Sequence, residues 1–213
     1  MKTLIITGGE VTTSFLKKTI AKTKFDKIIA SDKGLEILDK CNIEPNYIIG
    51  DFDSINIQIL NKYINNKNIE IKKLNPEKDY TDTHMALKLA LKIKSTEIVI
   101  LGAIGTRIDH TVSNIHILKE ALKQNVKCKI INNKNEIELI NKKTVIKNIE
   151  YKYISLIPLT TKVKGITLKG FKYPLKNDIL KIGQSIGISN EQLIDNAEIN
   201  IKKGILILIK SKD

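Results

Sequence analysis

Apolar and polar positions follow two different rhythms along this 213-residue chain. In the first, short β-branched apolar runs at residues 2–6, 27–30, 47–49 and 97–101 have the length and composition of buried strands, 69–73 is another strand candidate, and 126–131 closes the series. Between them, apolar residues recur at helical spacing. Residues 12–23 show a helical scatter, and Leu35, Ile37 and Leu38 suggest a second helix. Ile57, Leu60 and Ile64 form a stripe, Met85, Leu89 and Ile93 share a face beside Ala86 and Ala90, and Ile115, Leu118 and Leu122 mark a helix starting near Asp109. Strands alternating with helices imply an α/β domain with a mainly parallel sheet.

The rhythm changes at the turn-rich Asn132-Asn133-Lys134-Asn135. Beyond it no helical stripe is sustained. Short β-prone runs follow at 136–140, 144–146, 153–157, 162–168, 199–201 and 205–209, with Gly165, Gly170, Gly183, Gly187 and Gly204 between them or at their edges. Such a pattern makes a small β-sandwich or barrel. The expected organisation is an α/β domain over 1–134 followed by an all-β domain over 135–213.

Candidate chemistry gathers where apolar runs end. Tyr47 to Ser54 reads Y-I-I-G-D-F-D-S, a strand that ends at Gly50, the expected turn out of the sheet, and delivers Asp51 and Asp53. Ligands of open α/β sheets bind at the carboxyl ends of strands, and two carboxylates there suit Mg²⁺ with substrate phosphates; the bland alternative is a solvated acidic turn. Gly8 and Gly9 follow the first strand, where glycines let backbone approach a phosphate or simply make a turn. Asp32, after the second strand, either caps the next helix or faces the site, and capping is the expected role. Pro76 breaks structure before a helix that Asp79 or Thr81 caps, with Asp82 in its first turn. The run after residue 101 carries Gly102, Gly105, Arg107, Asp109 and His110; His110 and His116 lack zinc-site spacing and read as ordinary polar histidines.

Composition narrows the function classes. The net charge is +13, but residues 1–134 carry 22 Lys+Arg against 15 Asp+Glu, a net of +7, and residues 135–213 carry 14 against 8, a net of +6. An excess spread so evenly, with ten Tyr and Phe and no Trp, argues against a nucleic-acid-binding module. Of the 36 basic residues only Arg107 is arginine, which singles out a position needing the planar fork that grips phosphate or carboxylate. The apolar stretches at 98–104 and 205–209 are too short to span a bilayer, and the start lacks the apolar region of a signal peptide. Cys41 and Cys128 have no metal or redox spacing and read as buried thiols in a reducing cytosol. A cytoplasmic protein with no membrane partner is expected.

Taken jointly, G-D-F-D-S at 50–54, K-D-Y-T-D at 78–82 and G-T-R-I-D-H at 105–110 resemble the signature motifs of thiamine pyrophosphokinases. K-G-F-K-Y-P-L at 169–175 and G-I-S-N-E at 187–191 resemble the second domain of the bacterial members. The resemblance spans nearly the whole chain. It implies an α/β catalytic, ATP-binding domain and a β-sandwich thiamine-binding domain, paired in a homodimer with sites at the subunit interface. It also implies transfer of the pyrophosphoryl group of ATP to thiamine, giving thiamine diphosphate and AMP. Carried over by position, Asp51, Asp53, Asp79 and Asp82 are catalytic, and Asp51, Asp53, Asp82 and Asp109 organise Mg²⁺. Gly8, Gly9, Asp32, Arg107 and Asp109 face ATP; Asp79, Thr81 and Asp82, with Ser189 and Asn190 of the partner subunit, face thiamine. Ser31-Asp32-Lys33-Gly34 stands where many relatives have a double glycine, and with no Trp the π-face for thiamine falls to Tyr80, Phe171 or Tyr173. The nearest rival, a haloacid-dehalogenase-like phosphatase suggested by Asp51-Phe52-Asp53-Ser54, lacks its later Ser/Thr, Lys and acidic pair in order.

Overall fold

A computed structural model of the chain describes residues 1–75, 77, 79–147 and 150–213. Pro76, the expected structure breaker, and Lys78, which opens the 78–82 motif, lie outside the described residues. The chain divides into two compact units, Met1–Asn133 and Lys134–Asp213.

The first unit alternates strand and helix as its periodicity predicts. Strands β1 (Lys2–Ile6), β2 (Lys27–Ser31), β3 (Tyr47–Gly50), β4 (Glu70–Lys73), β5 (Glu97–Leu101) and β6 (Lys127–Ile131) lie in the order β4-β3-β2-β1-β5-β6. Every neighbouring pair in that order is parallel. Helices α1 (Thr13–Lys22), α2 (Gly34–Lys40), α3 (Ile57–Tyr63), α4 (Asp82–Lys92) and α5 (Ile108–Lys123) make the crossovers. Leu4, Ile6, Ala30 and Ile48 pack with Leu16, Leu35, Leu38 and Leu60 of α1 to α3. The alternate positions Ile5, Ile29 and Ile49 are fully buried on the opposite side, where α4 packs. Strands covered on both faces must be apolar at every position, which is why they read as unbroken runs.

Local chemistry sets the helix starts. The Thr12 hydroxyl accepts from Phe15 N, the Asn56 side chain from Gln58 N and the Thr81 hydroxyl from His84 N, so Thr81 rather than Asp79 caps α4. In α3 the expected stripe is only partly inward. Leu60 and Tyr63 are buried, whereas Ile57 and Ile64 are 60% and 57% exposed. The seven-residue helix has room for one inward pair, and the Tyr63 hydroxyl secures that face by donating to Asp39 of α2 at 3.0 Å.

The second unit contains β7 (Asn135–Ile140), β8 (Thr144–Ile146), β9 (Tyr153–Pro158), β10 (Lys162–Lys169), β11 (Asp178–Lys181), β12 (Ala197–Asn200) and β13 (Leu206–Ser211). β7-β13-β9 form one antiparallel layer and β11-β10-β12-β8 another. Ile140, Ile154, Leu156, Leu206 and Leu208 of the first layer share a core with Ile146, Val163, Leu168, Leu180 and Ile199 of the second. Two facing sheets with one core make a sandwich, which settles the choice left open by the pattern. β11 was not expected, because Leu180 is its single buried residue. Gly165 lies inside β10 rather than at an edge; its φ of +69° falls where the pairing with β11 shifts register, a bulge that bends the strand.

Candidate active site

Strand order in the first unit reverses at β1, which lies between β2 and β5. Outside the carboxyl ends at such a reversal, neighbouring loops diverge and leave a crevice. A cavity of about 400 Å³ lies there. Thr7, Gly8 and Gly9 line it after β1, Gly102 and Ala103 after β5, and Arg107 before α5. Asp32 and Lys33 line it from the β2 side, and Thr81 and Asp82 from the start of α4. The two glycine turns hold one another: Gly9 N–H donates to Gly102 O at 3.1 Å, and a Cβ at Gly9 would stand 2.1 Å from that oxygen. Only glycine permits this approach.

Beside the cavity, β2 and β3 bring three carboxylates together. One oxygen each from Asp32, Asp51 and Asp53 lies within 4.8 Å of the others. The expected capping role of Asp32 is not the one it adopts. The residue before α2 is Lys33, with no side-chain cap, while Asp32 takes a left-handed φ of 51° and accepts the Ser54 hydroxyl at 2.5 Å. Aspartate tolerates that backbone region better than most residues, so the turn aims its carboxylate at β3 with little strain. Gly50 is likewise not the turning residue. The backbone leaves β3 at Phe52, φ 66°, whereas a Cβ on Gly50 would press on Asp32 at 3.3–3.4 Å. Burial raises the Asp32 pKa, the Ser54 hydrogen bond partly offsets this, and the charges of Asp82, Asp51 and Asp53 raise it further. Asp32 Oδ1 is buried without a hydrogen-bond partner.

Other candidate residues separate by environment. Asp82 is near enough to act on Asp32, but Asp79 is exposed and lines no part of this cavity. Arg107 and Asp109 are both exposed and grip one another, Nη2 to Oδ2 at 2.5 Å and Nε to Oδ1 at 3.3 Å. That hydrogen bond holds the Asp109 carboxyl below its ordinary range and raises the guanidinium further. In the second unit Ser189 is exposed, with φ 56°, whereas Asn190 is buried. The Asn190 amide is occupied internally: Oδ1 accepts from Tyr173 N and Glu191 N, and Nδ2 donates to Tyr173 O at 2.8 Å. Phe171 is only 4% exposed within the sandwich core, so it offers no face to a ligand; Tyr80 and Tyr173 are exposed.

Sequence reasoning missed Asn114 and the pairing of His84 with Glu120. Asn114 is buried, lines the cavity and donates to Ala103 O at 2.9 Å, fixing the turn after β5. Its signal was a polar residue in phase with Ile117, Leu118 and Ala121 on the buried face of α5. The two cysteines are buried free thiols, and burial pushes the Cys128 thiol up, out of nucleophilic use. Among the described residues no helix is long and apolar enough to cross a membrane.

Fold and site together define a two-domain α/β enzyme whose ligand crevice opens at the switch point of a parallel sheet. The family model of the thiamin pyrophosphokinase catalytic domain matches residues 18–130, and that of the thiamin pyrophosphokinase vitamin B1 binding domain matches residues 139–206. The chain belongs to the thiamine pyrophosphokinase family. It is 36% identical over 187 residues to thiamine pyrophosphokinase of Bacillus subtilis (strain 168), covering 87% of each chain. Thiamin pyrophosphokinase 1 of Caenorhabditis elegans is 31% identical over 157 residues, which cover 69% of this chain and 62% of the other. The crystal structure of the Bacillus subtilis thiamine pyrophosphokinase superposes with a TM-score of 0.91 at 33% identity over 100% of both chains. That of Geobacillus thermodenitrificans thiamin pyrophosphokinase gives 0.88 at 28% identity, covering 100% of this chain and 98% of the other.

Proposed function

We propose that this chain transfers the pyrophosphoryl group of ATP to the hydroxyl of thiamine at the carboxyl edge of its parallel sheet, releasing AMP. The observation that carries this reading is the acidic trio beside a cavity walled by glycine turns. Backbone without side chains lets polyphosphate oxygens approach closely, and transfer of phosphoryl-type groups depends on positioning and charge neutralisation. The residues fit a divalent cation: three carboxylates converge, and one buried oxygen of Asp32 lacks a partner. Asp32, Asp51 and Asp53 would hold Mg²⁺, which when bound neutralises phosphate oxygens. This sets Asp32 beside the expected ligands Asp51 and Asp53, in place of Asp82 and Asp109, and leaves Asp109 to act through Arg107.

The remaining residues take roles from their surroundings. Gly8 and Gly9 receive the triphosphate, and Arg107 trades its contact with Asp109 for nucleotide phosphate. The thiamine hydroxyl oxygen attacks the β-phosphorus, the bond from that phosphorus to the α–β bridging oxygen breaks, and AMP leaves with the electron pair. Asp82 accepts the hydroxyl proton, because it lines the cavity while Asp51 is committed to the trio. Asp79 and Thr81 flank the thiamine side. A homodimer in which Ser189 and Asn190 of the partner subunit border thiamine is supported by surface character. Of thirteen exposed large apolar side chains among the described residues, six (Ile179, Ile182, Ile186, Ile188, Leu193 and Ile194) fall in residues 179–194. Asn190 then serves by shaping the Tyr173 turn, and Tyr173 supplies the π-face. The buried free cysteines fit a cytoplasmic location.

Incubation with Mg-ATP and thiamine should yield AMP and thiamine diphosphate in equal amounts. ADP as the nucleotide product, or AMP without the diphosphate ester, overturns the reading.

A further inference from the structure

Tyr80, just before α4, and His84 and Lys88 within it recur every fourth residue, and a single carboxylate of α5, Glu120, meets the latter two. His84 Nε2 lies 2.8 Å from Glu120 Oε1, with the two side chains 16% and 33% exposed. A carboxylate accepts only, so Nε2 carries the proton it donates. Lys88 Nζ lies 3.8 Å from the same oxygen. Above both, the Tyr80 ring meets the His84 ring edge-on, centroids 4.8 Å apart at 77°, and the Lys88 ammonium sits over its face at 4.4 Å. His84 and Glu120 border a groove of about 530 Å³ that also takes in Asp109, whereas Thr81 and Asp82 line the glycine-walled cavity.

Tyr80 is covalently placed between Asp79 and Thr81-Asp82, and it is 43% exposed. A ring at the surface in a segment without regular structure is held only by what packs on it. Here that is the Lys88 ammonium and His84, and His84 is anchored to a different helix by its hydrogen bond to Glu120. With the His84 ring against it and the Lys88 ammonium over one face, the Tyr80 ring already has protein partners. The ring is therefore suited to fixing the segment rather than to receiving thiamine.

We infer that His84, anchored by Glu120, is a positioning residue: through Tyr80 it fixes how residues 79–80 enter the Thr81 cap of α4, and so how Thr81 and Asp82 are presented to the cavity. The inference rests on the proposed role of that segment at the thiamine side of the site. Removing the anchor leaves β1, β5 and their glycine turns untouched, so the loss should fall on thiamine and spare ATP.

The test measures kcat and KM for each substrate in His84→Ala, Glu120→Ala and the double variant, with His84→Gln and Glu120→Gln as variants that keep a hydrogen bond. Expected is a fall of about tenfold in kcat/KM for thiamine, the scale of one lost charge-assisted hydrogen bond. KM for ATP should stay within about twofold, the double variant should be no worse than either single one, and both glutamine variants should recover. If His84→Ala does not fold, the Glu120 pair carries the same comparison from α5. An unchanged kcat/KM for thiamine, a rise in KM for ATP beyond about twofold, or additive losses in the double variant overturns the inference. Formation of AMP and thiamine diphosphate by the unaltered protein tests the underlying reaction separately.

Discussion

Replacing Asp32 with Asn should make the metal-free protein more stable while it loses its response to Mg²⁺. Carboxylate oxygens of Asp32, Asp51 and Asp53 lie within 4.8 Å of one another. At that distance two unit charges repel by about 1–3.5 kcal/mol, for effective dielectric constants from 80 down to 20. Asp53 is exposed and Asp51 half-buried, so the lower part of that range applies. Asparagine keeps the shape and the tolerance for φ 51°, and its oxygen still accepts from Ser54, at a loss of about 1 kcal/mol for a neutral acceptor. Relief of two repulsions outweighs that loss by roughly 1 kcal/mol, or about 2–4 °C in Tm for a chain of this size. Thermal unfolding with EDTA should show this gain. With Mg²⁺ the unaltered protein should rise and the variant should not, and half-maximal activity should need about 10- to 100-fold more Mg²⁺. A variant less stable than the parent in EDTA, or one raised equally by Mg²⁺, refutes the reasoning.

Two other substitutions probe the frame around the site. Gly34→Ala would gain about 1 kcal/mol of helix propensity. However, its Cβ would stand 2.0 Å from Ile6 O and 2.6 Å from Ile6 C, where α2 meets the end of β1. Overpacking against backbone costs about 3 kcal/mol, so urea unfolding should show a net loss of about 2 kcal/mol; a more stable variant would contradict the close packing. Asp39 accepts from Lys62 Nζ at 2.8 Å and from the Tyr63 hydroxyl at 3.0 Å. The Lys62 contact foremost, against some burial and with help from Tyr63, holds its carboxyl below the usual range. A lowered folded-state pKa contributes stability above the ordinary carboxylate value and loses it as pH falls through the folded one. Asp39→Asn should therefore be about 1 kcal/mol less stable at pH 7, with the deficit fading as pH falls below the ordinary carboxylate range; an equal deficit in acid would remove the charge from the account.

Much of the fold was legible because each unit obeys one dominant period. Buried parallel strands must be apolar on both faces, which made β1, β3 and β5 plain. Strands with little inward surface escaped. β11 contributes only Leu180 to the core, and no periodicity can be read from one residue. The stripe on α3 misled for the opposite reason, since Ile57 and Ile64 carry the right spacing on a helix too short to bury them.

The sequence by itself determined most of the strands and helices and several of their caps, because turns, caps and periodicity are local properties. It thereby placed Asp51, Asp53, Asp82, Arg107 and the glycine turns at one edge of a parallel sheet. Only the tertiary structure decided how they group. Asp32 joins Asp51 and Asp53 because β2 and β3 are parallel neighbours with Ser31 opposite Ile49, so the residues after each strand emerge side by side. Arg107 meets Asp109, Asn190 spends its amide on the Tyr173 turn, and Phe171 disappears into the sandwich core. Strand order and register bring together residues distant in the chain, and no window of sequence contains that information.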